Sequence, residues 1–292
     1  RRYGAGMTVS EMISSHAVSY RNERTLRELL VVHPDEHPVS MQLFGSDPAV
    51  MREAAAIVAD AGADLIDLNM GCPVKKVCKT GAGAAMISDP RQAVAVARAA
   101  IEGSGLPVTV KLRSGLEPGE RSGLLLAERL VTEAAISAVA FHPRPATVQH
   151  RGEPDYGLVR ELVDRVEVPV IVSGGLRTAE AARFAHDASG ADAVMIARGS
   201  LGNPWIFEQL LGGREQPPTD AEIVTELRWV IDAAERHFGP RACHYLRKFY
   251  PWYLDRIGAG RRRLDTLQRI EDLDEVRELI GELADGPVPT GV

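Results

Sequence analysis

A chain of 292 residues, 45% hydrophobic and 25% charged, has the make-up of an ordinary globular protein, long enough for one α/β barrel or for a large domain plus a small one. Three cysteines exclude a disulfide framework, no apolar run reaches membrane-spanning length and no signal peptide is visible, so a cytoplasmic protein is expected. The net charge of −6 argues, as an average, against a nucleic-acid binder.

Seven short, β-branched apolar runs predict buried parallel strands, at 8–12, 39–44, 65–70, 108–112, 138–142, 170–173 and 193–197. Alanine-rich stretches with helical periodicity separate them, at 48–61, 90–102, 124–133, 156–166 and 178–188. Asp47-Pro48 and Asp89-Pro90 each offer a cap followed by a first-turn proline. Gly62 and Gly190, each in a Gly-Ala-Asp repeat, end a helix ahead of the next strand. Alternation at this spacing predicts an α/β fold with a parallel sheet, closed as a TIM (β/α)8 barrel. The count is one strand short. Residues 1–6 read as the end of a helix with a glycine cap, so the first β/α unit is expected to be lacking from this chain. A seven-stranded open sheet, the alternative, leaves two unpaired inner edges.

The pattern changes after Leu211. The expected organisation is a barrel domain over 1–211, a Gly/Pro-rich linker over 212–219, a small all-helical domain over 220–285 and a frayed tail over 286–292. Thr219-Asp220-Ala221-Glu222 is a capping box for a helix that stops at Gly239-Pro240. Two more helical segments follow over 241–256 and 262–284, the first with Pro251 as a kink or break. The average charge conceals a local excess here. Between Arg236 and Arg263 stand eight Lys/Arg against one carboxylate, Asp255, interleaved with Phe238, Tyr245, Phe249, Tyr250, Trp252 and Tyr253.

In parallel α/β folds ligands and catalytic groups collect at the carboxyl ends of strands. Those ends carry Ser10 and Glu11, Gln42, Asn69 with Cys72, Lys111 with Arg113, His142 with Arg144, Ser173-Gly174-Gly175, and Ala197-Arg198-Gly199. Each alone has a bland reading: a buried small hydrophobe for Cys72, a core histidine for His142, turn formers for the glycines. Their joint appearance at one end of successive strands points to a site. The glycine-bearing loops after the last two strands suit a phosphorylated ligand, with Arg198 adding a charge-assisted contact. Cys72 and Cys78 lack companion ligands at zinc spacing, so no metal is expected.

Asp67-Leu68-Asn69-Met70-Gly71-Cys72-Pro73-Val74-Lys75-Lys76-Val77, Gly81-Ala82-Gly83-Ala84-Ala85, Val110-Lys111-Leu112-Arg113 and the His142-x-Arg144 strand end together resemble the tRNA-dihydrouridine synthases, most nearly the bacterial B-type subgroup. The resemblance runs from Val9 through Phe207 and resumes at 238–240 and 247–253. It implies an FMN enzyme that reduces uridines of tRNA to dihydrouridine with NADPH or NADH as electron source. By that resemblance Cys72 is the proton donor to C5 of the uracil while reduced flavin delivers hydride to C6. Asn69, Lys111 and Arg113 surround the uracil, and Gln42 and Lys111 meet the flavin. His142, Ser173, Gly174, Gly175, Ala197 and Arg198 hold its ribityl phosphate. A free thiol titrates near ~8.5 and is mostly protonated at neutral pH, which suits a general acid. The basic helical domain, through Arg241, Arg247 and Lys248, would grip tRNA phosphates, and the loop from Lys75 to Gly83 would close over an extruded base.

The chain departs from the family in three places. The amino-terminal Pro-Met-Ala segment that contacts flavin has no counterpart, in line with the expected missing strand. Ser173-Gly174-Gly175 stands where Asn-Gly-Asp is common, and His142-Pro143-Arg144 where His-Gly-Arg is usual. Two other readings remain open: a dihydroorotate-dehydrogenase-like flavin barrel acting on a free pyrimidine, which has no need of a basic helical domain, and a non-catalytic RNA-binding barrel, which has no need of a thiol beside Asn69 and Lys111.

Overall fold

The computed structural model describes residues 1–285, so the tail over 286–292 lies outside the described residues. The chain divides into two compact units, Arg1–Ala197 and Arg198–Val292.

In the first unit the elements run β1 (Thr8–Val9), β2 (Ile13–Ser14), α1 (Ser15–Ser19), α2 (Glu23–Leu29), β3 (Val39–Phe44), α3 (Pro48–Asp60), β4 (Leu65–Met70), α4 (Lys75–Cys78), α5 (Pro90–Ser104), β5 (Val108–Arg113), α6 (Ser122–Ala134), β6 (Ala138–His142), α7 (Tyr156–Val163), β7 (Val170–Ser173), α8 (Ala179–Ser189) and β8 (Ala193–Met195). Every ladder is parallel, and from β3 to β8 each strand pairs with the next. β1 and β2 lie end to end on β3, Thr8 opposite Val39 and Ile13 opposite Leu43, so the sheet has seven strand positions. This is the sheet of a TIM (β/α)8 barrel; among the described residues no ladder joins β8 to β1 or β2.

The expected strand over 8–12 is interrupted by a side-chain contact with β3. The Ser10 hydroxyl accepts the Gln42 N–H at 2.9 Å, a bond that a backbone carbonyl would take in a regular ladder, and pairing resumes only at Ile13. The helix boundaries follow the capping chemistry. Asp47 accepts from the N–H groups of Ala49 and Val50, Asp89 from Gln92 and Thr178 from Ala181, while Gly105 and Gly190 close α5 and α8 in the left-handed region.

The two-residue period of the strands decides what faces where. Met41, Leu43, Ile66, Leu68, Met70, Val110, Leu112, Val139, Phe141 and Val172 alternate onto one face and are all buried. The register places Gln42 beside Asp67, Asp67 beside Thr109, Asn69 beside Lys111 and Arg113 beside His142 on the other. The second face is therefore polar across four adjacent strands, a costly arrangement unless each group finds a partner.

The second unit is helical. It opens with a 3-10 turn (Arg198–Ser200) and continues as α9 (Ile206–Leu210), α10 (Asp220–Phe238), α11 (Ala242–Leu246), α12 (Tyr250–Leu254), α13 (Arg261–Leu267) and α14 (Leu273–Asp285). The capping box is formed: Glu222 N–H donates to Thr219 Oγ1, and Thr219 N–H to Glu222 Oε2 at 2.8 Å. The two helices expected beyond it are each broken in two. The first break falls at 247–249, which leaves Pro251 in the opening turn of α12, where its missing N–H costs no helical bond. The second falls at 268–272, where Asp272 accepts from the N–H groups of Asp274 and Glu275. Among the described residues no helix is long and apolar enough to cross a membrane.

Candidate active site

Asp67, in the middle of β4, is almost fully buried. Its carboxylate accepts from Thr109 Oγ1 on β5 and from Gln42 Nε2 on β3, both at 2.6 Å. Burial pushes its pKa up, and the two hydrogen bonds and the Lys111 ammonium oppose that. Gln42 Oε1 in turn accepts from Asn69 Nδ2 at 2.9 Å. Asn69 Oδ1 then accepts the backbone N–H groups of Gly71, at 3.2 Å, and Cys72, at 2.9 Å. The Gly-Cys-Pro turn is thus tied back to the strand that delivers it.

The Cys72 carbonyl is held from its other side by the Ala84 N–H at 3.0 Å and the Cys78 thiol at 3.3 Å. Gly83, at φ +63°, approaches so closely that a Cβ there would stand 2.7 Å from this oxygen. The loop expected to close over an extruded base is built of α4 and runs into a 3-10 segment, Gly83–Ser88, with Ala82, Ala84, Met86 and Ile87 buried. Its glycines serve close packing. The Cys72 side chain itself is half-exposed.

Cationic groups surround this turn. Lys111 donates to Ser173 Oγ at 3.4 Å. Burial, followed by the neighbouring Arg113, lowers its pKa to about 8, against the pull of Asp67 and Cys72. The Arg113 guanidinium donates to backbone carbonyls: Gly71 at 2.9 Å, Gln149 at 2.7 Å and Pro145 at 3.3 Å. It thereby links the Cys72 turn to the loop after β6. Arg144 donates to the Gly152 carbonyl at 2.8 Å and lies 3.4 Å from His142 Nε2, while its Nε is buried without a hydrogen-bond partner. Burial, then Lys111, Arg113, Arg144 and His150, pull the His142 pKa down to about 2, so the imidazole is neutral at physiological pH.

The chain after β7 completes the site. Gly174, at φ +100°, leaves no room for a Cβ beside the His142 ring, and its carbonyl accepts from Tyr156 Oη at 2.9 Å. Gly175 is also left-handed, at φ +82°. Two guanidinium groups, an ammonium and open backbone gather here, with Asp67 as the counter-charge acting on Lys111. Such a surround favours an anionic ligand.

Gln42, Asn69, Cys72, Lys111, Arg113, His142, Ser173, Gly174 and Gly175 thus all lie at the carboxyl ends of β3 to β7 in the first unit. Ala197 closes that unit, and Arg198 belongs to the second. In the second unit Arg247 is partly buried and faces Glu271 at 3.8 Å. Lys248 lies over Tyr245, 4.1 Å from its ring centroid, in a cluster with Phe238 and Phe249. Arg241 is exposed. Sequence reasoning assigned no role to Asp67, Thr109 or Arg144. An acid two residues before Asn69 in an otherwise apolar strand was the available signal for the first. Among the described residues no group of His, Cys, Asp and Glu is placed to hold a metal ion.

A parallel β/α barrel sheet that carries a thiol, a lysine of lowered pKa and two guanidinium groups at one end of its strands has the make-up of a barrel enzyme's site. The family model for dihydrouridine synthase (Dus) matches residues 1–284, and the chain belongs to that family. It is 34% identical to tRNA-dihydrouridine synthase B of Shewanella oneidensis over 91% of this chain and 84% of the relative. The Proteus vulgaris protein of the same name is 35% identical over 95% and 87%. A probable tRNA-dihydrouridine synthase of Mycobacterium leprae is 38% identical over 98% and 76%. Among solved structures, 6-hydroxypseudooxynicotine amine oxidase from Pseudomonas geniculata aligns with a TM-score of 0.53 at 12% identity, over 73% of this chain and 43% of its own, a likeness of fold alone.

Proposed function

We propose that the protein reduces selected uridines of tRNA to 5,6-dihydrouridine, with flavin mononucleotide as cofactor and NADPH or NADH as electron donor. The observation that carries this reading is the half-exposed Cys72 on a turn fixed by Asn69, near Lys111, in a chain of the dihydrouridine synthase family. The residues present fit a phosphorylated flavin. The unpartnered, buried Arg144 Nε supplies a donor for an anion, and the Gly174-Gly175 backbone allows close approach.

His142, Ser173, Gly174 and Gly175 would hold the phosphate, and Gln42 and Lys111 would meet the ring. When bound, the reduced flavin supplies the hydride that goes to C6 of the uracil. Cys72 gives its proton to C5 as general acid. Asn69, Lys111 and Arg113 orient the uracil, and the Lys111 ammonium opposes the negative charge that builds on it. The uridine has to leave the tRNA stack to reach the strand ends. Arg241, Arg247 and Lys248 of the second unit contact tRNA phosphates.

The test expresses the full-length gene in cells whose own dihydrouridine synthases are deleted and measures dihydrouridine in tRNA by nucleoside mass spectrometry. Dihydrouridine is expected with the native gene and not with Cys72→Ala, which still binds tRNA. A purified protein with no flavin absorption and no product would overturn the reading. Undiminished product from Cys72→Ala would remove the thiol from the mechanism.

A further inference from the structure

We propose that Asp67 is a positioning residue: through Gln42 and Asn69 it fixes the direction of a side-chain relay that ends on the backbone of Cys72. The importance of that position rests on the reading of Cys72 as proton donor. The relay itself rests on geometry alone.

Its two ends have fixed polarity. The Gly71 and Cys72 N–H groups can only donate, and the Asp67 oxygen facing Gln42 accepts. Two amides bridge such ends in only one way, each with its oxygen toward the turn and its nitrogen toward the acid. That is the order observed: Cys72 N–H to Asn69 Oδ1, Asn69 Nδ2 to Gln42 Oε1, Gln42 Nε2 to Asp67 Oδ2. Strand register supplies the links, since Gln42 and Asp67 are ladder partners and Asn69 follows Asp67 by two residues on the same face. Thr109 Oγ1 occupies the other oxygen of Asp67. With Asp67 and Gln42 each only 6% exposed or less, no water stands ready to replace a missing partner. Asp67 also acts electrostatically on Lys111, and Asp67→Asn, which removes the charge and keeps the hydrogen bonds, separates that effect from the relay.

The relay tolerates an amide in place of the acid. An asparagine at 67 can accept from Gln42 with its oxygen and donate to Thr109 with its nitrogen, the hydroxyl turning to suit. A leucine of similar shape can do neither.

The experiment follows alkylation of Cys72 by iodoacetamide in the full chain without flavin or tRNA, by peptide mass spectrometry, with Cys243 and the melting temperature as checks on global folding. Asp67→Asn is expected to leave the Cys72 rate within about twofold of wild type, whereas Asp67→Leu shifts it by about tenfold, the factor that corresponds to one lost buried acceptor. Should Asp67→Leu fail to fold, a second pair decides. Gln42→Glu sets two carboxyl groups face to face and is expected to release the turn on the alkaline side of the pH at which they share a proton, where the alkylation is read. Adding Asp67→Asn returns an N–H between them and restores the Cys72 rate.

In turnover, Asp67→Leu is expected to lower kcat, expressed per folded protein, with the KM for tRNA unchanged. A folded Asp67→Leu with wild-type alkylation, or a folded Gln42→Glu that Asp67→Asn does not rescue, would overturn the proposal. Because the alkylation arms use no cofactor or substrate, they decide the relay even if no dihydrouridine is formed.

Discussion

Replacing Lys111 with methionine should stabilise the flavin-free protein while impairing its site. The side chain is held among Arg113, Asp67 and Ser173 with one long hydrogen bond, to Ser173 Oγ at 3.4 Å. Its pKa falls from 10.5 to about 8, a gap that corresponds to about 3 kcal/mol of destabilisation of the cation by its surroundings. Methionine is nearly isosteric and removes that penalty. Solvent reaches the partly buried amine, and Asp67 loses a favourable neighbour, so a net gain of about 1–2 kcal/mol is expected. For a unit of this size that is a rise of roughly 3–6 °C in melting temperature at neutral pH.

The pH dependence has a definite sign. An unfolded lysine keeps its proton to about 10.4, whereas the native one loses it through about 8. Between those values the unfolded chain binds more protons, so this group makes native stability rise with pH. The penalty is complete below about 8 and gone above about 10.4. The advantage of Lys111→Met should therefore be greatest at neutral pH and shrink across that window. Scanning calorimetry of the two flavin-free proteins at a series of pH values reads it directly. A lower melting temperature for Lys111→Met at neutral pH, or an advantage that does not shrink on the alkaline side, would refute the reasoning.

Arg144→Leu should weaken flavin mononucleotide binding about tenfold or more while sparing riboflavin, because the lost guanidinium serves the phosphate; equal losses for both in a fluorescence titration would remove Arg144 from the phosphate site. Gly174→Ala forces a Cβ against the His142 ring at φ +100° and should cost about 2–4 kcal/mol, read as a fall in denaturation midpoint; an unchanged midpoint would show that the turn can move away. Lys248→Gln should reduce the slope of log affinity for tRNA against log salt by about one without altering which uridine is modified. An unaltered slope would mean that Lys248 is committed to its Tyr245 and Phe249 partners.

Much of the fold was legible because its signals are local. Short apolar runs at 39–44, 65–70 and 108–112 mark the strands whose carboxyl ends carry Gln42, Asn69 and Lys111, and Asp47, Asp89 and Thr219 cap the helices that follow them. What was not legible depends on partners distant in the chain. The interruption at residues 10–12 comes from one hydroxyl finding the N–H of Gln42. Arg113 reads as a strand-end cation, yet its guanidinium reaches the carbonyls of Gly71 and Gln149. Arg247 reads as one of the cations that would grip tRNA phosphates, yet it faces Glu271 at 3.8 Å.

Asp67 shows why the division falls there. In sequence it is a polar residue in an apolar strand, compatible with a solvated edge or with a site. Only the register that puts Gln42 on one side and Thr109 on the other turns it into a satisfied buried acid. A carboxylate removed from water is tolerated when its neighbours donate to it, and each donor so committed has its own orientation fixed. Gln42 and Asn69 are therefore not independent polar residues that happen to line a barrel. Their directions follow from the acid beneath them, and the Cys72 turn inherits that direction.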